Sequence, residues 1–560
     1  MIGISSKIHN YSIKSLKLFN NNHSTIKLSQ KNFRVFIVGN IFHKKAEVRK
    51  EFQTNLNKKK YKQLLSLNGE YFFMAINKKK NFLMFGNSDN SYIPIFYTND
   101  APYLHLQSDI FKLNRKYFQE INYKKIFEWL VYNGRSFDNS TFLSRIKCLE
   151  PGSIFILDRN REKLIHGKVF SYKNKSTSIE SIATKVSESL RKAINLRIAS
   201  TTKNVSFGLS GGLDSRILLY LIEPKNIKKV RSHTIGSKKS FEKKVSKKIA
   251  SFTGVQHREI TVPEREYYKH AKNSVRNGGF NQVFQQGIVS KYYKKIKTRD
   301  QSNFFMMANG LDCLIGGGFS DKRLKKISTK KNFLKWYKSK HQLFTLKELK
   351  EIFVKKIDFN QKKIDLNFHN FLKKINFKND FINFNDALTF ETRIKRWHNY
   401  TLGVYSRISN FLIPTYDQNF LKAVSEIPSR YRLNNFFRKF LIYKMNPNLS
   451  EVETSNSMIE KNLNNPNKEI QKRFYDINLG LDMKKSIYFD KLYKNLKKEL
   501  IKYKANEVFN FSKIEKIIQT HKKDKKNNPR KIFMLITLLI SFSFIYKIKQ
   551  KKYTVKAKSD

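Results

Sequence analysis

The sequence predicts an α/β protein in two unlike parts: an N-terminal antiparallel β-sandwich, then a parallel sheet wrapped in helices, with further helices at the C-terminal end. Three observations predict it. Residues 1 to about 170 hold short aromatic and β-branched runs separated by Asn, Lys and Gly, the punctuation of antiparallel strands. From Val205 onward such runs alternate with stretches of helical periodicity, as in a parallel sheet covered on both faces. The chain has 560 residues, 40% apolar and 14% aromatic, more than one core holds. The expected division is 1–170, 171–450 and a helical extension over 451–560.

In chain order, Phe33–Val38, Tyr71–Ile76, Phe82–Phe85 and Tyr92–Tyr97 are the strand candidates of the first part, and Asn77–Lys80 fits a solvated hairpin tip. Ile182, Val186, Leu190 and Ile194 recur every four residues, one apolar stripe of a helix. Val205–Leu209 is a buried strand by composition. Arg231–Ser237 and His257–Ile260 follow as strands, with a helix over Glu242–Thr253 between them, and Phe304–Ala308 is a further buried strand. Asp321–Leu372 is lysine-rich and helical in pattern, with solvated helices the expectation. The charge run Lys522–Lys526 reads as a solvated linker. Ile532–Ile545 is apolar almost throughout but only 14 residues long, short of the ~20 a bilayer crossing needs. It is expected as a buried, docked helix, with no transmembrane span.

The chemistry concentrates in Ser210-Gly211-Gly212-Leu213-Asp214-Ser215-Arg216, a turn between the Val205 strand and an apolar helix. Strand, glycine-rich turn and helix make an oxyanion site, because backbone N–H groups and the helix N-terminus face the ligand. The Ser210 and Ser215 hydroxyls can donate to phosphate. Asp214 is out of place in an anion site unless a cation bridges it, which makes it a Mg²⁺ ligand candidate. The Gly-Lys-Ser/Thr ending of the Walker loop is absent.

SGGxDS between a strand and a helix resembles the PP-loop of ATP pyrophosphatases, and SGGLDS in particular resembles the asparagine synthase family. The likeness extends to Leu67–Ile76, to the hairpin over Asn81–Tyr97 and to the Leu149–Ser153 turn, which are similar to that family's N-terminal glutaminase domain. It implies an Ntn-glutaminase-like fold there. That family begins Met-Cys-Gly-Ile, whereas this chain begins Met1-Ile2-Gly3-Ile4. Isoleucine has no nucleophilic atom, so a retained fold with an inactive glutaminase site is expected. Asn309-Gly310-Leu311-Asp312-Cys313-Leu314-Ile315-Gly316-Gly317 resembles the family's pyrophosphate loop, so the resemblance makes Asp312 a second metal carboxylate and a catalytic residue. Asn309 and Cys313 stand where asparagine synthases carry acids. Leu209, Ile235 and Gly236 match the main-chain positions that hold adenine. Leu388–Arg393 and Ser406–Arg407 match a helical region lining the site, Ile413–Asp417 matches "xPFLD", and Phe437–Leu441 matches "KxxL". Lys439 is the choice for the cation over the phosphates.

The resemblance implies ATP and Mg²⁺ as cofactors. It implies an ATP-dependent ligase that adenylates a carboxylate, releases pyrophosphate, and forms an amide with ammonia or an amine. Its partners are then a small-molecule or biosynthetic carboxylate and an amine donor, and a homodimer stays open. Two alternatives remain: an ATP-binding scaffold without turnover, suggested by Ile2, Asn309 and Cys313, and an RNA-modifying PP-loop enzyme, suggested by charge. That charge is large, with 111 basic against 44 acidic residues for a net +67. The lysines are scattered over nearly every segment of a Lys-, Asn- and Ile-rich chain, so no specific nucleic-acid partner is expected. Two cysteines, Cys148 and Cys313, and no leader-like N-terminus point to a reducing, cytoplasmic setting.

Overall fold

The computed structural model describes residues 6–550 except 9–10, 14–15, 18–24, 30–31, 78, 80, 101–102, 160, 176, 239, 278, 280–286, 317–318, 355–359, 376–379, 407, 455–485 and 524–528. Position 2, Gly317 and Arg407 therefore lie outside the described residues.

The first part is a two-sheet sandwich. Thr25–Ser29, Arg34–Ile41, Gly69–Asn77, Phe82–Asn87, Ser153–Asp158 and Arg161–His166 form one antiparallel sheet in that spatial order. Alternate residues face opposite ways, so Gly69–Asn77 reads as one apolar run because both its faces are covered. Phe72, Met74 and Ile76 pack toward the second sheet, while Tyr71, Phe73 and Ala75 pack toward helix Lys45–Asn57. Phe85 joins the sheets, stacking on Phe155 at 4.9 Å and meeting the Tyr97 edge at 5.5 Å. The second sheet departs from the all-antiparallel expectation, since Ser12 and Leu16 pair in parallel with Tyr103 and Leu106. The strand expected over Tyr92–Tyr97 begins only at Phe96, because Pro94 has no N–H for a ladder.

Helix Ile179–Ala199, with Ile182, Val186, Leu190 and Ile194 buried, leads into the second part. Five parallel strands follow: β1 (Val205–Gly208), β2 (Val230–Gly236), β3 (Gln256–Thr261), β4 (Phe304–Met306) and β5 (Asn410–Leu412). Their spatial order is β3-β2-β1-β4-β5. Winding runs outward one way from β1 and the other way from β4, so a crevice opens between the carboxyl ends of these two strands.

The two parts share one core and a buried ionic staple. The Arg197 guanidinium, wholly buried, donates to Glu70 Oε1 at 3.3 Å and to Asp417 Oδ2 at 3.2 Å. Asn40 Nδ2 donates to Phe411 O at 2.9 Å, and Tyr92 Oη accepts from Phe411 N at 3.1 Å, tying the sandwich to β5.

The lysine-rich stretch is more than a solvated face. Lys330–His341 and Gln361–Lys374 are helices whose Phe333, Tyr337, Phe368 and Phe371 enter a second large core. That core is filled by helix Pro529–Gln550, which packs on Arg115–Phe118, Ala271–Asn277, Ile487–Lys502 and Phe511–Lys523. Over Arg530–Gln550 it is long and apolar enough to cross a bilayer, and 72% of its most apolar 18-residue window is buried inside the protein. A helix apolar on every side is accounted for by burial on every side.

Candidate active site

Both loops singled out by the sequence leave the crevice. β1 ends at Gly208 and β4 at Met306, with Val205 opposite Phe304 and Phe207 opposite Met306, so the chain after each emerges side by side. The two loops repeat one local solution. Gly212 caps helix Leu213–Tyr220 and Gly310 caps helix Leu311–Ile315, and in each the second helical residue is the aspartate, Asp214 or Asp312. Gly310 is required there: its φ is +79°, and a Cβ would come within 2.8 Å of Ile394.

The two carboxylates sense each other. Burial raises the Asp214 carboxyl to about 6, the Arg438 guanidinium opposes that rise, and the Asp312 carboxylate adds to it. Arg438 Nη2 donates to Asp214 Oδ1 at 2.7 Å, and Asp214 keeps a quarter of its side chain open. Asp312 Oδ1 accepts from Cys313 N at 2.8 Å. The structure thus sets Arg438 on the loop carboxylate, whereas Lys439 is exposed and lines a surface cavity of about 460 Å³ beside Leu213, Phe440 and Tyr443. One step along a helix turns a side chain by about 100°. The signal for Arg438 was present, because it stands three residues before Leu441, as the cation does in KxxL.

The turn is closed on itself. Ser210 N donates to Ser215 Oγ at 3.1 Å, Gly212 N donates to Ser210 Oγ at 3.2 Å, and the two hydroxyls lie 3.0 Å apart. These are the groups a phosphate would draw outward. Gly211 packs against Val245, with Glu242 alongside. Burial raises the Glu242 carboxyl to about 7. Leu209, Ile235 and Gly236 lie at the neighbouring ends of β1 and β2. Leu209 N donates to His233 O at 2.9 Å, Leu209 O accepts from Thr234 Oγ1 at 2.5 Å, and Gly236 O accepts from Val262 N at 2.9 Å.

Arg216 was not foreseen. It is wholly buried, and burial lowers its pKa to about 10. Its Nη1 donates to Leu449 O (3.0 Å) and Val452 O (2.8 Å), and its Nη2 to Gly211 O (3.2 Å) and Glu453 O (3.2 Å). It fastens the segment after helix Phe436–Met445 to the floor of the loop.

Asn309 sits in a neutral network. Its Nδ2 donates to Tyr416 Oη at 2.6 Å and to Asn399 Oδ1 at 3.3 Å, its Oδ1 lies 3.3 Å from His398 Nδ1, and its main-chain O accepts from Thr415 Oγ1 at 2.6 Å. Cys313 is 1% exposed, and burial, then Asp312, push its thiol well above the usual range, so it is no nucleophile.

A family model described as asparagine synthase matches residues 185–543. A protein of Methanocaldococcus jannaschii, described as asparagine synthetase 1 (glutamine-hydrolysing), is 24% identical over 263 residues. The match covers 46% of this chain, which spans about half of that curated relative, 46% of its length. Solved structures with partial likeness include the U34-tRNA thiolase NcsA of Methanococcus maripaludis (12% identity, 59% of this chain, 85% of that chain, TM-score 0.21). Two others are the NH3-dependent NAD synthetase of Campylobacter jejuni (14%, 39%, 96%, 0.21) and the NMN synthetase of Francisella tularensis (15%, 41%, 97%, 0.20).

Proposed function

The chain belongs to the asparagine synthase family, and from that premise we propose that it is an ATP-dependent ligase that adenylates a substrate carboxylate and makes an amide from it. The observation that carries this reading is the meeting of Asp214 and Asp312 at the crevice, each behind a glycine cap and a leucine.

Adenylation is required because a carboxylate is a poor acyl donor. A carboxylate oxygen attacks the α-phosphorus of ATP, the bond to the bridging oxygen breaks, and pyrophosphate leaves with that electron pair. The nitrogen of ammonia or an amine then attacks the acyl carbon, AMP departs with the acyl oxygen, and the nitrogen sheds its proton to solvent. The loop amides and the Ser210 and Ser215 hydroxyls hold the departing phosphates, and Arg438, already within the site, offsets charge as it develops. Lys439 stands one helical position away, where it can reach a triphosphate tail that extends out of the loop.

The donor set fits Mg²⁺: two neighbouring carboxylates, one of them raised mainly by burial and further by the other, are the pairing that a hard cation and phosphate oxygens complete. Bound there by Asp214 and Asp312, the ion would supply neutralisation of the leaving pyrophosphate. With Ile2 where the family has its nucleophile, nitrogen comes from free ammonia or from an amine on a substrate.

The test is exchange of labelled pyrophosphate into ATP across a panel of carboxylates. Exchange with one of them supports the ligase. Silence with all of them while ATP still binds refutes it in favour of the second reading, an ATP-binding member without turnover, which the neutral Asn309 network favours.

A further inference from the structure

One group of side chains beside this site carries charge with little or no access to solvent and takes no part in the ligase chemistry. Arg135, in the turn after helix Tyr123–Val131, is 1% exposed. Its Nη1 donates to Tyr132 O at 3.4 Å, its Nη2 lies 3.3 Å from His341 Nδ1, and its Nε has no acceptor. No carboxylate pairs with it among the described residues. Arg393 is in the same condition: its guanidinium lies on the rings of Phe319 (5.1 Å) and Trp397 (5.3 Å), its Nε is buried without an acceptor, and no carboxylate among the described residues pairs with it. Arg530, from the C-terminal helix, also lies over Trp397, at 4.5 Å, and donates to Asn133 Oδ1 at 2.8 Å.

These three segments, far apart in sequence, converge on two imidazoles. Burial, then Arg393, Arg530 and Arg135, hold His398 down at about 3. Burial, then Arg135, Lys340 and Arg393, hold His341 far below its usual value, and His341 Nε2 is buried without a partner. Both rings are therefore neutral, and the positive charge of the cluster is that of the guanidinium groups. A buried guanidinium without a counter-charge is costly, because nothing repays the water it has lost. The scattered surface lysines do not explain it, because solvent cannot screen a group 1% exposed. Around Arg135 and Arg393 the described residues supply donors, planar forks and aromatic walls but no carboxylate, which is the complement of an oxyanion.

The cluster also has an address. His398 Nδ1 is 3.3 Å from Asn309 Oδ1, and Asn309 opens the loop that carries Asp312. We propose that Arg135 and Arg393, with Arg530 behind them, bind an oxyanionic group, carboxylate or phosphate, that the acceptor substrate carries in addition to the carboxylate being activated. The acceptor is thus at least doubly anionic. This assignment of substrate class rests on the ligase reading, while the anion site itself does not.

The experiment uses the full chain without ATP. Inorganic phosphate, succinate and citrate are titrated calorimetrically at constant ionic strength into wild type, Arg393→Gln, Arg393→Lys and the exposed charge control Lys347→Gln. The expected result is saturable binding of at least one anion, weakened tenfold or more by Arg393→Gln, partly restored in Arg393→Lys and unchanged in Lys347→Gln. ATP affinity should stay the same in all four. Preference for phosphate or for the di- and tricarboxylate identifies the group. Binding of none of the three, or equal weakening in the Lys347→Gln control, overturns the proposal. Because half-buried Arg393 carries the test, it does not depend on the folding of a variant at fully buried Arg135. Anion binding without pyrophosphate exchange would fail the ligase and leave the site standing; exchange without anion binding would do the reverse.

Discussion

Replacing Arg438 by Met should move the acid limb of the pH–rate profile and lower its plateau. The limb of kcat/KM for ATP reports groups of the free enzyme. Asp214 must be ionised to serve phosphates and metal, so in wild type the rate should fall as pH drops through about 6. Arg438 is the group that lowers the Asp214 carboxyl, through a 2.7 Å charge-assisted hydrogen bond. Such a bond contributes roughly 1.5–3 kcal/mol, which at about 1.4 kcal/mol per unit is about 1–2 pH units. In Arg438→Met the limb should therefore stand near pH 7–8, so the variant loses most at mildly acid pH and regains part of its rate in alkali. The plateau should fall by about 10²–10³, the cost of removing one preorganised charge partner. The assay is pyrophosphate exchange between pH 5 and 9, with Arg438→Lys as the charge-retaining control. Glu242, raised to about 7, is the other carboxyl beside the loop, so the series is repeated in a Glu242→Gln background to assign the limb. A limb that stays near 6 in Arg438→Met, or a larger effect from Lys439→Gln, would refute the role given to Arg438.

Three further outcomes follow from the packing. Glu70 is wholly buried in the Arg197 staple, and burial raises its carboxyl from 4.5 to about 7 against the pull of Arg197. The folded state thus keeps a proton that the unfolded state releases between those values, so wild-type stability falls as pH rises across that window, by at most about 3 kcal/mol. Glu70→Gln should remove Glu70's share of that slope in thermal melts from pH 5 to 8, leaving the part that Asp214 and Glu242, also raised by burial, contribute; an unchanged slope would refute the assignment to Glu70. Gly316→Ala should destabilise by about 1–3 kcal/mol, because φ is +100° and the new Cβ would stand 2.3 Å from Arg432 O; denaturant unfolding at wild-type stability would contradict this. Leu538→Ala, at a wholly buried position in the C-terminal helix, should cost about 2–5 kcal/mol by the same measurement, and a loss below 1 kcal/mol would mean that the helix is not core.

What could be read from sequence was local. The Ser210–Ser215 turn and the Gly310–Asp312 loop announce themselves through glycines and acids a few residues apart, and the crevice between β1 and β4 puts them together. The apolar helix near the end was legible as buried. The misreadings arose where a partner is distant. The choice of Lys439 put the cation two residues before Leu441, whereas KxxL puts it three before, at Arg438, the residue that meets Asp214. Tyr92–Tyr97 looked like a strand until Pro94 interrupted it. The lysine-rich helices were read by their solvent side, since Phe333 and Phe368 acquire meaning only once a second core exists to receive them. Arg216 and the Arg135 cluster had no sequence signal, because their acceptors and neighbours lie hundreds of positions away or on no side chain at all.

The placement of helix Pro529–Gln550 has a consequence for biosynthesis. The surfaces it seals belong in part to Arg115–Phe118 and Ala271–Asn277, which leave the ribosome long before it does. Until this helix emerges, the nascent chain carries an open greasy trough. Completion of this core must therefore wait for its synthesis, and in that interval the trough is a natural client for a chaperone that shields it.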